Sequence, residues 1–381
     1  MDKVRFGIIG TGGMGTGHAN TMKNIEEAEL TAVCDIDKEV CDRVSAEFGV
    51  PGFTEYEALI DSGRVDAVIV ATPHYFHPPI SIYAMKKGIH VLSEKPVAVT
   101  VKAADEMNRT AEETGVKFAV MYQTRTTPVY QTAKRLIEEG RLGELYRTCR
   151  IDAGFRSQAY YNSAGWRATW KGEGGGVLIN QAPHGIDAFT SLAGLPSRVT
   201  ARTATRRHQI EVEDEASAML EYTNGAIGFY HTSVTEAPGT NYMELAGEKG
   251  KLVIQNGKLT FWSLETPVQV FSNTTDQMWG KPEAQQEDIP LEERPSGHGA
   301  VIRNLARAIL YDEPLVSPGV EGIQSVEFIN AVILSGATGR PVDIPVDREA
   351  YEAFIEEKKR TSKEKRITGP TLRITDPQHK K

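Results

Sequence analysis

Val4-Arg5-Phe6-Gly7-Ile8-Ile9-Gly10-Thr11-Gly12-Gly13-Met14-Gly15 decides the fold of this 381-residue chain. Val4 to Ile9 is an apolar run long enough for one buried parallel strand, and it breaks at G-x-G-x-x-G before a helix-compatible stretch beginning near Thr16. Gly10 permits a tight turn, Gly12 lets backbone approach a pyrophosphate, and Gly15 lets the helix pack on the strand. The free N–H groups at the start of that helix, with Gly13 and Met14, would face the phosphates. Asp35 lies twenty residues beyond Gly15, at the end of a second apolar run, Leu30 to Cys34. A carboxylate there accepts hydrogen bonds from both adenosine ribose hydroxyls and repels a 2′-phosphate. Ile36 beside it offers no cation for one, so the expected cofactor is NAD rather than NADP.

Strand and helix patterns alternate to about residue 122, which argues for βαβ units on a parallel sheet. Ala67 to Ala71 is a buried strand ending in Thr72-Pro73-His74, with His77 just beyond; Ile89 to Ser93 is another, running into Glu94-Lys95-Pro96. Both ends fall on the ligand edge of such a sheet. A partly buried Lys95 amine near a nicotinamide would have a lowered pKa and could exchange a proton with a substrate hydroxyl. Phe118 to Tyr122 closes the sheet, and Gln123 follows it, near the expected nicotinamide carboxamide.

Pro128 could open a helix that ends at Gly140, and from there the pattern changes to alternation, with hairpin signals at Asn224-Gly225 and Asn256-Gly257 and a looser turn at Glu248-Lys249-Gly250. These predict an open, mainly antiparallel sheet over about 144–275 with helices on one face. Asn273 to Arg294 is expected as a surface loop, with helices again at Ala300 to Tyr311 and Gly322 to Leu334. Three parts follow: an NAD-binding Rossmann domain (1–123), a substrate-binding and oligomerisation α+β domain (124–355) and a basic C-terminal tail (356–381). Inside the second part, Asn180, His184 and Asp187 fall at spacings of four and three, which places them on one face of a single helix. His184 can act as a general base, and Gly174-Gly175-Gly176 should let backbone pass close to something. A His/Asp metal pair is the other reading of that spacing, but no third ligand is obvious, so no metal is expected. Tyr160, Tyr161, Trp166 and Arg167 suit a polyhydroxylated ring, offering aromatic faces and a guanidinium, although ordinary loop packing accounts for each taken singly.

The chain carries a net charge of −8, which disfavours nucleic acid as a partner. Its cationic cluster, Lys358, Lys363, Lys365, Arg366, Lys380 and Lys381, is expected to be a solvated tail. Cys34, Cys41 and Cys149 show no metal spacing. A strand starting at Val4 leaves no room for a signal peptide, and no apolar run reaches membrane-spanning length. The expectation is a cytoplasmic protein with no membrane partner.

Together these residues resemble the glucose–fructose oxidoreductase / inositol 2-dehydrogenase / rhizopine-catabolism family. The motifs are the glycine fingerprint with His18, Thr72-Pro73 with His77, and Glu94-Lys95-Pro96. Arg125 with Pro128, the triple glycine, and His184 with Asp187 follow, and Ser335-Gly336-Ala337-Thr338-Gly339-Arg340 with Pro345 closes the set. The resemblance implies an NAD(P)-dependent oxidoreductase of a sugar, sugar derivative or cyclitol, a homodimer or homotetramer packed through open sheets. It also implies that Lys95 and His184 flank the reacting carbinol. Two positions depart from the family pattern. Asn180 stands where aspartate is typical, so its amide oxygen can orient the imidazole but not stabilise an imidazolium, and proton transfer shifts toward Lys95. His74 stands where asparagine is common. Two other functions fit the same motifs. One is redox-neutral glycoside cleavage through transient oxidation and elimination; the other is a non-catalytic NAD- or sugar-sensing protein.

Overall fold

The computed structural model describes residues 3–363 and 365. Six strands, β1 (Val4–Ile9), β2 (Ala28–Cys34), β3 (Gly52–Phe53), β4 (Ala67–Val70), β5 (His90–Ser93) and β6 (Phe118–Val120), form a wholly parallel sheet in the order β3-β2-β1-β4-β5-β6. Strand order reverses between β1 and β4, so a crevice opens at their carboxyl ends. Every residue of β4 is buried, as a strand covered on both faces requires. The first turn is built as its glycines demand: Gly10 takes φ +91°, and a Cβ on Gly15 would lie 2.0 Å from the Gly10 carbonyl oxygen. The helix therefore starts at Gly13, earlier than Thr16, and runs to Met22.

A parallel sheet needs cover on both faces, and this one borrows part of it. Helices His77–Lys86 and Val101–Thr114 cover one face, packing Ile80, Ala84, Met85, Ala104 and Met107 on Val68, Val70 and Val91. On the other face, helix Gly13–Met22 is joined by helix His298–Tyr311, whose Val301, Ile302, Leu305 and Ala306 pack on Phe6 and Ile8. A segment expected in the second domain thus completes the core of the first.

The second sheet has nine strands: β7 (Leu145–Phe155), β8 (Arg198–Ala204), β9 (Glu215–Glu221), β10 (Ile227–Ser233), β11 (Thr235–Gly247), β12 (Gly250–Gln255), β13 (Lys258–Leu264), β14 (Ala284–Glu287) and β15 (Val342–Asp343). Their order is β14-β13-β12-β11-β7-β10-β9-β8-β15. All pairs are antiparallel except β7 with β10. The three expected turns join β9–β10, β11–β12 and β12–β13. The segment expected as a loop from Asn273 instead supplies the end of a short helix, Val268–Thr274, and the edge strand β14. One face is covered by helices Pro128–Glu138, Pro183–Ala193 and Gly319–Thr338, with Phe189, Tyr230 and Phe328 meeting at its centre. The opposite face carries exposed Met219, Ile227 and Phe229. Helix Gly319–Thr338 belongs to both halves, with Val326 in the first core and Phe328 in the second.

The expected tail is also corrected at its start. Helix Arg348–Thr361 crosses position 356 with Tyr351 and Ile355 buried. Lys365 is not a solvated cation, because its amine donates to the backbone carbonyls of Tyr161 and Arg167. Arg366, Lys380 and Lys381 lie outside the described residues. Among the described residues, no helix is long and apolar enough to cross a membrane.

Candidate active site

The crevice at the reversal of strand order fits a dinucleotide. Asp35, at the end of β2, receives the Thr11 N–H on Oδ2 at 2.9 Å and the Asp37 N–H on Oδ1 at 3.0 Å. Two backbone donors hold the carboxylate in place before any ribose arrives. Ile36 beside it is 90% exposed. A Cβ on Gly12 would meet nothing within 4 Å, so the cradle over the helix N-terminus is open, and no side chain caps that terminus. Deeper in, the Thr72 hydroxyl and Gln123 Oε1 are buried with no hydrogen-bond partner among the described residues. Buried polar atoms left in this state fit a polar ligand such as a nicotinamide and its ribose.

Several polar residues at the strand ends are tied to neighbouring protein groups. Glu94 Oε1 lies 2.7 Å from His18 Nε2, and its Oε2 accepts the Lys95 N–H at 3.1 Å. Burial opposes ionisation of Glu94, but the contact with His18 prevails and holds the carboxyl well below the usual range. His77, expected at the cofactor, is wholly buried between the carbonyl oxygens of Pro96 (2.8 Å) and Thr72 (2.7 Å), where it ties two strand-end turns together. His74 points its Nδ1 at the Glu173 carbonyl oxygen, 2.9 Å away, and its ring meets the Trp166 edge.

Lys95 is partly buried at the meeting of the two halves. Its Nζ donates to the Asn180 carbonyl at 2.9 Å, and burial lowers its pKa against the opposing pull of Glu94 and Glu173. Asn180, His184 and Asp187 do not share one helix. Val177–Asn180 is a single turn that ends before Pro183 opens the helix Pro183–Ala193. Proline has no amide to continue the first helix, and its ring obstructs the preceding turn. The break leaves the Asn180 carbonyl at a helix end, within reach of the lysine. His184 stands at the second position of the new helix, with Gln123 Nε2 3.4 Å from its Nε2 and the Tyr122 ring edge-on to it.

Asp187, expected at the substrate, has both carboxylate oxygens on Arg125. It is fully buried and grips Arg125 through two 2.8 Å bonds, while Arg125 reaches Glu321 with its remaining nitrogen. This fork ties the turn after β6 to the His184 helix.

A carboxylate missed in the sequence also stands here. Glu173, inside the glycine run, is 1% exposed; it accepts the Ala168 N–H and the Asn180 side-chain amide. Burial, reinforced by Glu213, pushes it up to about 7 against those hydrogen bonds and Arg167. The close backbone approach expected at the triple glycine is real: a Cβ on Gly176 would lie 1.9 Å from the Glu213 carbonyl oxygen. The Glu213 carboxylate in turn takes the Gly176 and Leu178 N–H groups. A glutamate between glycines, Gly172-Glu173-Gly174, was the available signal. Tyr160 completes the wall. Its hydroxyl meets Gln181 Nε2 at 3.0 Å, Asn180 Nδ2 at 3.3 Å and the Arg167 guanidinium. Among the described residues no cluster of His, Cys, Asp and Glu has metal-binding geometry.

Two family models match the chain. Residues 4–122 match the oxidoreductase family NAD-binding Rossmann fold, and residues 130–253 match the GFO/IDH/MocA C-terminal domain. Among curated relatives, the NADP-dependent scyllo-inositol 2-dehydrogenase IolW of Bacillus subtilis is 26% identical over 356 residues, covering 90% of this chain and 96% of that one. The 2,7-anhydro-N-acetylneuraminate hydratase of Mediterraneibacter gnavus is 31% identical over 221 residues, covering 58% of each. Among solved structures, the WlbA dehydrogenase of Bordetella pertussis with NADH and UDP-GlcNAcA superposes with a TM-score of 0.76 at 28% identity. That match covers 91% of this chain and all of the other. The chain belongs to the GFO/IDH/MocA family of NAD-binding oxidoreductases.

Proposed function

We propose that this protein is an NAD-dependent dehydrogenase of a sugar, sugar derivative or cyclitol carbinol, with Lys95 and His184 as its proton-handling pair. One observation carries the reading: a partly buried lysine from the β5 end of the NAD-binding half donates to the Asn180 carbonyl, four residues before His184. Bound in the crevice, NAD would supply the hydride-accepting ring carbon. Lys95 Nζ, made a weaker cation by burial, takes or returns the hydroxyl proton, and its bond to the Asn180 carbonyl aims the amine. His184 Nε2 offers a second proton site, positioned through the Arg125–Asp187 fork one turn along its helix. Gln123 orients the nicotinamide amide, and Asn180, Tyr160, Trp166 and Arg167 hold the sugar.

Self-association as a homodimer or homotetramer fits the apolar side of the second sheet, where Met219, Ile227 and Phe229 are exposed. The thiols are unpaired, and burial pushes Cys34 up to about 12, which suits a reducing compartment such as the cytoplasm.

Lys95→Ala should lower kcat on the best substrate by ~10²–10⁴-fold, with NADH affinity unchanged in a fluorescence titration. Near-normal kcat in that variant removes Lys95 from the mechanism. Redox-neutral cleavage is read in the same assay, since it yields free sugar with no NADH absorbance at 340 nm.

A further inference from the structure

We infer that the substrate is an acidic sugar, whose carboxylate is held by the Arg167 guanidinium beside the carbinol site. The inference rests on the reading of Lys95 and His184 as the reaction centre, and it narrows the substrate class.

Arg167 is built as a fixed anion receptor. Its guanidinium lies 4.4 Å from the Tyr160 ring centroid and 4.7 Å from that of Trp166, and one terminal nitrogen donates to the Tyr160 hydroxyl. Stacking and that bond restrain a side chain that would otherwise sample many rotamers. Among the described residues no carboxylate pairs with it within 4 Å. Its Nε is buried and has no hydrogen-bond partner there. The acid nearest in the loop, Glu173, spends one oxygen on the Asn180 amide and the other on the Ala168 N–H.

The surroundings are also rich in donors. The Asn180 amide, the Gln181 amide and the Arg167 guanidinium all converge on one Tyr160 oxygen, which has two lone pairs. Lys95 adds a further ammonium and feels the Arg167 charge. A site whose donors outnumber its acceptors, around a cation with no ion-pair partner among the described residues, is complementary to a ligand rich in anionic oxygen. A planar guanidinium with a spare Nε edge matches a carboxylate in particular, through two parallel N–H···O bonds.

The test uses matched pairs, assayed with NAD at 340 nm: D-glucuronate against D-glucose, D-galacturonate against D-galactose, and UDP-glucuronate against UDP-glucose. Glucose 6-phosphate serves as a phosphate-bearing arm. The acid of at least one pair should exceed its neutral partner in kcat/KM by ~10–100-fold, the range of a charged hydrogen-bond pair. Arg167→Gln should bring that ratio close to one by raising KM, and Arg167→Lys should restore part of it. NADH titration of each variant establishes that it is folded.

Binding of the same compounds to the NADH-loaded protein, by calorimetry, is the second readout. Equal use of acid and neutral sugars, preference for the phosphate, or an acid preference that survives Arg167→Gln overturns the inference. So does the absence of any Arg167-dependent acid preference in both readouts. Arg167-dependent binding of an acid with no NADH formed would instead sink the dehydrogenase reading while leaving this one standing. NADH formed from neutral sugars alone would do the reverse.

Discussion

Arg125→Met would separate a structural Asp187 from a substrate-binding one. Arg125 and Asp187 are 1% and 0% exposed and share two hydrogen bonds of 2.8 Å. Even with that fork in place, burial holds the Asp187 carboxyl above its ordinary pKa. Removing the guanidinium leaves the carboxylate in a dry interior with nothing to balance it, at a cost of about 3–5 kcal/mol. Glu321 also loses a partner, but it is partly exposed and water replaces the contact at little cost. At about 2 °C per kcal/mol for a chain this long, the melting temperature should fall by about 6–10 °C. The double variant Arg125→Met/Asp187→Leu removes both charges and should recover most of that loss. In both variants kcat should still drop, because the fork that orients the His184 helix is gone. Urea melts give the stability differences, and steady-state kinetics give kcat and KM. A single variant that loses under about 1 kcal/mol, or one that changes only the sugar KM, would refute this account.

Three further outcomes follow from the same geometry. Lys95→Ala should lose turnover and keep NADH, as set out above. Glu173 titrates at about 7 in the folded protein against an ordinary 4.5, so between those values the native state holds a proton that the unfolded chain has released. Stability should therefore fall as pH rises from about 4.5 to 7 and then level, and Glu173→Gln should flatten part of that slope in pH-dependent melts; an unchanged slope would show that Glu173 is already ionised. Asp35→Ser with Ile36→Arg should lower kcat/KM for NAD by ~10–100-fold through the lost charged ribose bonds and raise that for NADP. An unaltered cofactor ratio would mean that Asp35 does not touch the ribose.

Much of the site was legible because its signals are local. G-x-G-x-x-G needs only a strand, a turn and a helix in succession, and an acidic residue at the next strand end follows from the βαβ repeat. Asn-Gly pairs likewise announced hairpins, since a two-residue turn with positive φ admits few other residues. The single-helix reading of Asn180, His184 and Asp187 failed because spacing was counted through Pro183, which ends a helix whatever the periodicity says. Pro183 makes the Asn180 carbonyl, which receives Lys95, a helix end.

By itself, then, the sequence determined the NAD-binding half, the alternation of the second sheet, and the residue types able to move a proton. Tertiary structure alone decided that Asp187 braces Arg125, that His77 lies between the Pro96 and Thr72 carbonyls, and that helix His298–Tyr311 covers the first sheet. It also brought in Glu173 as a buried carboxyl and left Arg167 without an ion-pair partner among the described residues. The reason is physical: burial and charge pairing join residues tens to hundreds of positions apart, and no local period records which side chains will share a dry interior.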